Sequence, residues 1–70
     1  MTVNELLSKL PSEVNVRVNV AGVVEVCGTT GYRNTAKITR RLSDEGCGNA
    51  EVASIYPLWH ARELYIGALR

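Results

Sequence analysis

No stretch of this chain approaches the roughly 20 consecutive apolar residues of a membrane-spanning helix, so no membrane partner is expected. Charge of either sign is scarce in excess. Eight Lys and Arg stand against seven Asp and Glu, a formal net charge of +1. No global field draws in nucleic acid or an anionic surface, and any electrostatic recognition must be local. There is one His and there are two Cys. Cys27, Cys47 and His60 are irregularly spaced over a long span and match no zinc pattern. A lone His, no recognisable Ser-His-Asp set and no carboxylate pair at a defined spacing give catalysis little support. A chain of 70 residues also leaves little room for a pocket of about 300 Å³. The expectation is a protein that is not an enzyme and holds no cofactor or metal. Repeats, low-complexity tracts and linkers are absent as well, so residues 1–70 read as a single domain. Met1–Glu5 shows neither a basic leader nor an apolar run behind it. The expected compartment is a reducing cytoplasm, where Cys27 and Cys47 are read as free thiols, with a disulfide or metal ligation as the alternatives.

What is present is patterned. Apolar residues make up 46 %, too rich for a disordered chain. In TVNELLSKLP, Thr2 and Glu5 form a capping box, and Val3, Leu6, Leu7 and Leu10 make the apolar stripe of a first helix that Pro11 stops. In EVNVRVNV, Val14, Val16, Val18 and Val20 alternate with Asn15, Arg17 and Asn19, a strand with one buried face. Ala21-Gly22 turns the chain into a return strand, VVEVC, that ends at Gly28. TTGYRN reads as a loop, with Asn34 or Thr35 capping a second helix over TAKITRRLSDE. Ile38 and Leu42 are its buried contacts, and Gly46 and Gly48 end it. AEVASIYPL reads as a third strand ended by Pro57. The odd spacing of Val52 and Ile55 asks for a bulge or a change of face. RELYIGAL is the fourth strand. The order predicts a small α+β domain, αββαββ, with a mostly antiparallel sheet and helix 1 packed on one face. A core this small barely offsets the ordering entropy of the chain, so a homodimer is expected, through a sheet edge or the uncovered sheet face.

The layout resembles a class of small phage- and prophage-encoded α+β accessory proteins. The matching pieces are ELLSKLP (5–11), the Val14–Val20 strand, Gly28-Thr29, EVASI (51–55) and ELYI (63–66). They touch most of the chain. It departs at the last turn, where Leu58, Trp59 and His60 replace a polar turn. Many such proteins have no known role and some block host immune systems. The resemblance thus points to a phage or mobile-element inhibitor of a host defence system, for which a host protein partner in the host cytoplasm is expected. It transfers no site residues.

Two stretches stand out as candidate sites. The first is CGTTGYRNTAKITRRL, residues 27–42, which contains four cations and no acid. Thr29, Thr30 and Gly31 could present amides and hydroxyls to a phosphate at the start of helix 2, with Arg33 paired to the phosphate, Tyr32 stacked on a base and Asn34 at the end of the loop. The 29–35 loop would then act as a sponge for a phosphate-bearing signal nucleotide. The spacing is neither a P-loop nor a dinucleotide fingerprint, so an ordinary loop is the plain alternative. Arg33, Lys37, Arg40 and Arg41 could instead contact nucleic-acid phosphates through residues 33–41. Their plain alternative is a solvated helix face. The second stretch is PLWH. Trp59 at a hairpin tip either covers the sheet edge or anchors a partner, with His60 beside it as a surface contact. The reading favoured is a non-enzymatic binding module that occludes a protein surface with Trp59 and the Tyr32–Arg41 basic segment.

Overall fold

The computed structural model describes all residues, Met1–Arg70. Helix α1 spans Val3–Lys9 and begins as the capping box dictates. The Thr2 hydroxyl accepts from the Glu5 amide at 3.2 Å, and the Thr2 amide donates to Glu5 Oε1 at 3.1 Å. Strands β1 (Asn15–Val20) and β2 (Val24–Thr29) form the first hairpin. Helix α2 covers Tyr32–Asp44, and β3 (Glu51–Leu58) and β4 (Glu63–Leu69) form the second hairpin.

The sheet order is β2-β1-β4-β3. Both hairpins are antiparallel, and β1 and β4 pair in parallel at the centre, Val16 opposite Leu64 and Val20 opposite Ala68. The sheet is therefore mixed, and α2 carries the chain from one edge to the other. The parallel seam is buried on its inner face, where Val16, Val18, Val20, Ile66 and Ala68 are almost wholly out of water. Burying each of these valine and isoleucine side chains stabilises by about 1.5–3 kcal/mol relative to exposure.

Both helices close this one core. Val3 and Leu7 of α1 and Ile38 and Leu42 of α2 join it. The helix packed most closely on the sheet is α2, over β2, while α1 lies beside α2. The expected cover of α1 is thus shared, because the longer apolar face of α2 lands on an edge strand shaped to receive it. At Gly28, a Cβ would sit 2.8 Å from Ile38 Cγ1. Only glycine lets α2 come this close. The helix ends in a Schellman motif: Gly46, at φ +74°, donates to Ser43 O, and Cys47 donates to Leu42 O at 2.7 Å.

Three boundaries differ from the sequence expectations. Helix α2 begins at Tyr32, capped by Gly31 with no side-chain acceptor. Asn34 and Thr35, the expected caps, both lie inside the helix, and Thr35 accepts from the Gly31 amide at 3.0 Å. Strand β2 continues through Gly28 to Thr29. Strand β3 continues through Pro57 to Leu58. An edge strand tolerates a proline because it needs a ladder amide on one side only. The irregularity expected from Val52 and Ile55 is present as a register shift between Val52 and Ser54.

Candidate functional site

Three surfaces could meet a partner. The first is the second hairpin. Strand β3 is an edge, and apart from half-buried Val52 and Leu58 all of it is exposed. Its register with β4 places Ile55 on the helix side, opposite Ile66, and Tyr56 on the outer side, opposite Tyr65. Both Ile55 and Tyr56 are 47 % exposed. Neither helix packs closely on β3, so residues 53–57 are exposed on both faces. Met1 and Thr2 pair with its beginning, through the Val52 amide to Met1 O at 2.9 Å and the Val3 amide to Ala50 O at 2.9 Å. The bare length therefore begins beyond Val52. At its end Trp59 is 83 % exposed, with His60 exposed beside it. Trp59, Leu58, Pro57 and Arg62 line a cleft of about 360 Å³ against Glu13 and Val14. Trp59 does not cover the sheet edge.

The second surface is a groove of about 390 Å³ between β2 and α2. Both clefts exceed the volume that the chain length was expected to allow, because they are open grooves at the sheet's edges. Asn34, Lys37 and Arg41 rim it from the helix, Cys27 and Thr29 from the strand, and Val26, Gly28 and Ile38 complete it. Residues 34, 37, 38 and 41 recur at helical spacing, so a single helix face presents Ile38 to the core and the two cations to the groove. No carboxylate lines it. Arg41 reaches Glu45 at 3.5 Å on the exposed helix surface, and Lys37 has no ion-pair partner.

The third surface is the outer sheet face. Arg17 lies between Glu25 and Glu63, 3.0 Å from each. Hydrogen bonds to Glu63 and then Glu25 raise the guanidinium pKa above its already high ordinary value, so it stays charged. Tyr56 and Tyr65 stack with ring centroids 4.8 Å apart. This face was not singled out in the sequence. Its signal was the non-valine half of each alternation, Arg17 with Asn15 and Asn19, and Tyr65 between Leu64 and Ile66.

The expected site residues divide among these surfaces. Asn34, Lys37 and Arg41 converge on the groove. Arg33 and Arg40 are exposed on the helix but do not line it. Tyr32 is 91 % exposed at the helix start, and the Arg33 guanidinium lies 5.8 Å from its ring centre. Thr30 is 1 % exposed, and its hydroxyl is occupied by structure: it donates to Pro11 O at 2.6 Å and accepts from the Val14 amide at 3.0 Å. It holds the α1–β1 connection against the end of β2. Trp59 and His60 share an end of the sheet with the start of α2, but β1 and β4 intervene, at about 4.8 Å per strand. The basic segment and Trp59 are thus separate patches.

Both thiols are unpaired, Cys47 in the core and Cys27 on the surface. No three His, Cys, Asp or Glu side chains gather where they could hold a metal ion, and no helix is long and apolar enough to cross a membrane. Compared with family models, curated proteins and solved structures, the chain finds no match.

Proposed function

We propose that this chain is a non-enzymatic protein-binding module whose contact is the tip and bare edge of its second hairpin. The observation that carries the reading is Trp59, 83 % exposed at the end of a strand that is open on both faces. A tryptophan held in water at a hairpin tip gives up little burial on docking and gains a large apolar contact, and Trp is enriched among interface hot spots. Ile55 and Tyr56, back to back on the same strand, extend the contact to both sides. Their neighbours Pro57 and the register shift after Val52 discourage indiscriminate edge pairing, so the surface suits a shaped partner better than open-ended strand addition.

The arrangement of reactive groups favours binding over catalysis. Cys47 is buried. Cys27 lies on the β2 edge, while His60 lies in the turn at the β3 side, with β1 and β4 between them. The partner class implied by the resemblance to phage accessory proteins is a host protein, whose surface the hairpin would occlude in the host cytoplasm.

The test is capture of host proteins by the tagged chain, followed by direct titration with the purified candidate. Trp59→Ala should weaken that titration by at least about 30-fold, the effect of a hot spot worth 2 kcal/mol. Ile55→Asp should do the same, while Arg40→Glu should leave affinity within about threefold. A partner that binds Trp59→Ala and Ile55→Asp as tightly as the wild type overturns the proposal. So does a solution mass showing a dimer that Ile55→Asp dissociates, which would assign the strand to a second copy.

A further inference from the structure

The groove between β2 and α2 lies at the opposite edge of the sheet from the Trp59 hairpin and is independent of that contact. Its chemistry follows from the backbone of β2. The Thr30 amide donates to Val14 O, and the Ala21 amide donates to Ala68 O. These two bonds fix the alternation along β1: its even-numbered residues turn their amides and carbonyls toward β2, and its odd-numbered ones toward β4. The antiparallel register pairs Val18 with Val26 and Val16 with Gly28. Val24, Val26 and Gly28 therefore spend their backbone groups on β1. Glu25, Cys27 and Thr29 present theirs to the free edge, at about 7 Å intervals.

Directly above this edge stands α2. Gly28 lets the helix sit so close to the strand that Ile38 closes the floor of the groove. Lys37 and Arg41 lie one helical turn apart, about 6 Å along the axis. That nearly matches the about 7 Å between side chains on one face of an extended strand. With no carboxylate in the lining, no ion-pair partner for Lys37 and only an exposed 3.5 Å pair between Arg41 and Glu45, the groove offers two things at once: a ladder of free backbone donors and acceptors, and a pair of cations at strand spacing.

We propose that the β2–α2 groove binds an extended acidic peptide segment of a partner protein, which adds as a fifth strand beside β2 while its carboxylates pair with Lys37 and Arg41. Backbone bonds to Cys27 and Thr29 supply the sequence-independent part of the affinity, and the cations select acidic residues at alternate positions. A nucleic-acid strand would use the cations but not the backbone ladder. The exposed Tyr32 ring lies outside the groove lining, so no base-stacking platform accompanies the cations.

The experiment uses the full chain and a fluorescein-labelled hexapeptide of alternating Val and Glu, read by fluorescence polarisation. Saturable binding is expected, weakened at least about tenfold when Lys replaces each Glu, with that order reversed in K37E/R41E. Both substituted side chains are exposed, so the variant keeps the fold. Two further peptides carry N-methyl groups on one or the other alternate set of amides. Methylation of one set should cost about tenfold or more, and of the other set less than about threefold, because only one set faces β2. Equal binding of both methylated peptides, or no binding of the acidic parent, overturns strand addition. Tighter, Lys37-dependent binding of a short single-stranded oligonucleotide assigns the groove to nucleic acid instead and also overturns it. So does a dimer in solution that K37E/R41E dissociates.

Discussion

Gly28 and Ile38 meet where α2 crosses β2, and the space between them is smaller than a methyl group: a Cβ on Gly28 would lie 2.8 Å from Ile38 Cγ1 and 2.9 Å from Cδ1. Ile38 is itself buried, so it has nowhere to retreat. Gly28→Ala is expected to destabilise by about 1–3 kcal/mol, the range for overpacked sites. In a domain of this size that lowers Tm by at least about 4 °C. Ile38→Val in the same chain should recover part of the loss. An unchanged Tm in Gly28→Ala would show that the helix yields freely.

Thr30 joins two segments with one hydroxyl. Thr30→Val keeps the shape and removes the bonds to Pro11 O and the Val14 amide, leaving part-buried backbone groups without their partner. The expected cost is about 1–3 kcal/mol. Thr30→Ser keeps the hydroxyl and should cost less than the valine variant. Denaturant titration of the two variants decides, and equal losses would assign the effect to the methyl group.

Glu5 makes acid stability depend on the first helix turn. The Thr2 amide and then the Thr2 hydroxyl hold its pKa below the ordinary 4.5. A lowered folded-state pKa gives stability that is complete above the unfolded value and drains away as pH falls through the folded one. Wild type should therefore exceed Glu5→Gln in Tm at pH 7. The gap should close in strong acid, where both side chains are neutral. A gap that persists there would place the effect outside ionisation.

The two thiols should separate by exposure. Cys27 is exposed, and Cys47 is buried in the core just beyond the end of α2. Iodoacetamide is expected to modify Cys27 in the native protein and Cys47 only after denaturant is added. Mass spectrometry of the native reaction reads this directly. Double modification without denaturant would mean that the α2 end opens readily.

The local features of the fold were legible because their causes are local. The capping box at Thr2 and Glu5, the valine alternation of β1 and the Gly46 stop each need only a few neighbouring residues. The irregularity in β3 was visible in the odd spacing of Val52 and Ile55. The start of α2 was not, because Gly31 caps without a side chain while Asn34 and Thr35, the expected caps, lie within the helix, Thr35 reaching back to the Gly31 amide. Pro57 misled for a related reason: whether proline ends a strand depends on whether that strand is an edge, which only strand order decides. Site residues followed the same division. The one-turn spacing of Lys37 and Arg41 was readable from the sequence, but Asn34 beside them, with Arg33 and Arg40 turned elsewhere, was not. The groove was not, since it exists only where that face overhangs β2. Thr30 looked like a ligand-binding hydroxyl until Pro11 and Val14 were found beside it.

The parallel pairing of β1 with β4 has a consequence for how the chain assembles. Each hairpin is local and can form in about 1–10 μs. Val16 and Leu64, by contrast, can meet only after a long loop closes, and that entropy is lost before the contact returns anything. We therefore expect folding to run as two half-sheets that zip along a single central join. Ile66→Val, on that join, should speed unfolding more than it slows folding, whereas Val26→Ala, in the first hairpin, should act mainly on the folding rate. Stopped-flow kinetics of the two variants would show it, and the reverse pattern would make the join the nucleus. Until it closes, β1 and β4 each offer a raw valine- or isoleucine-bearing margin to any other chain nearby. The hazard of this architecture lies in the middle of the sheet, during the brief interval when its middle is still two edges.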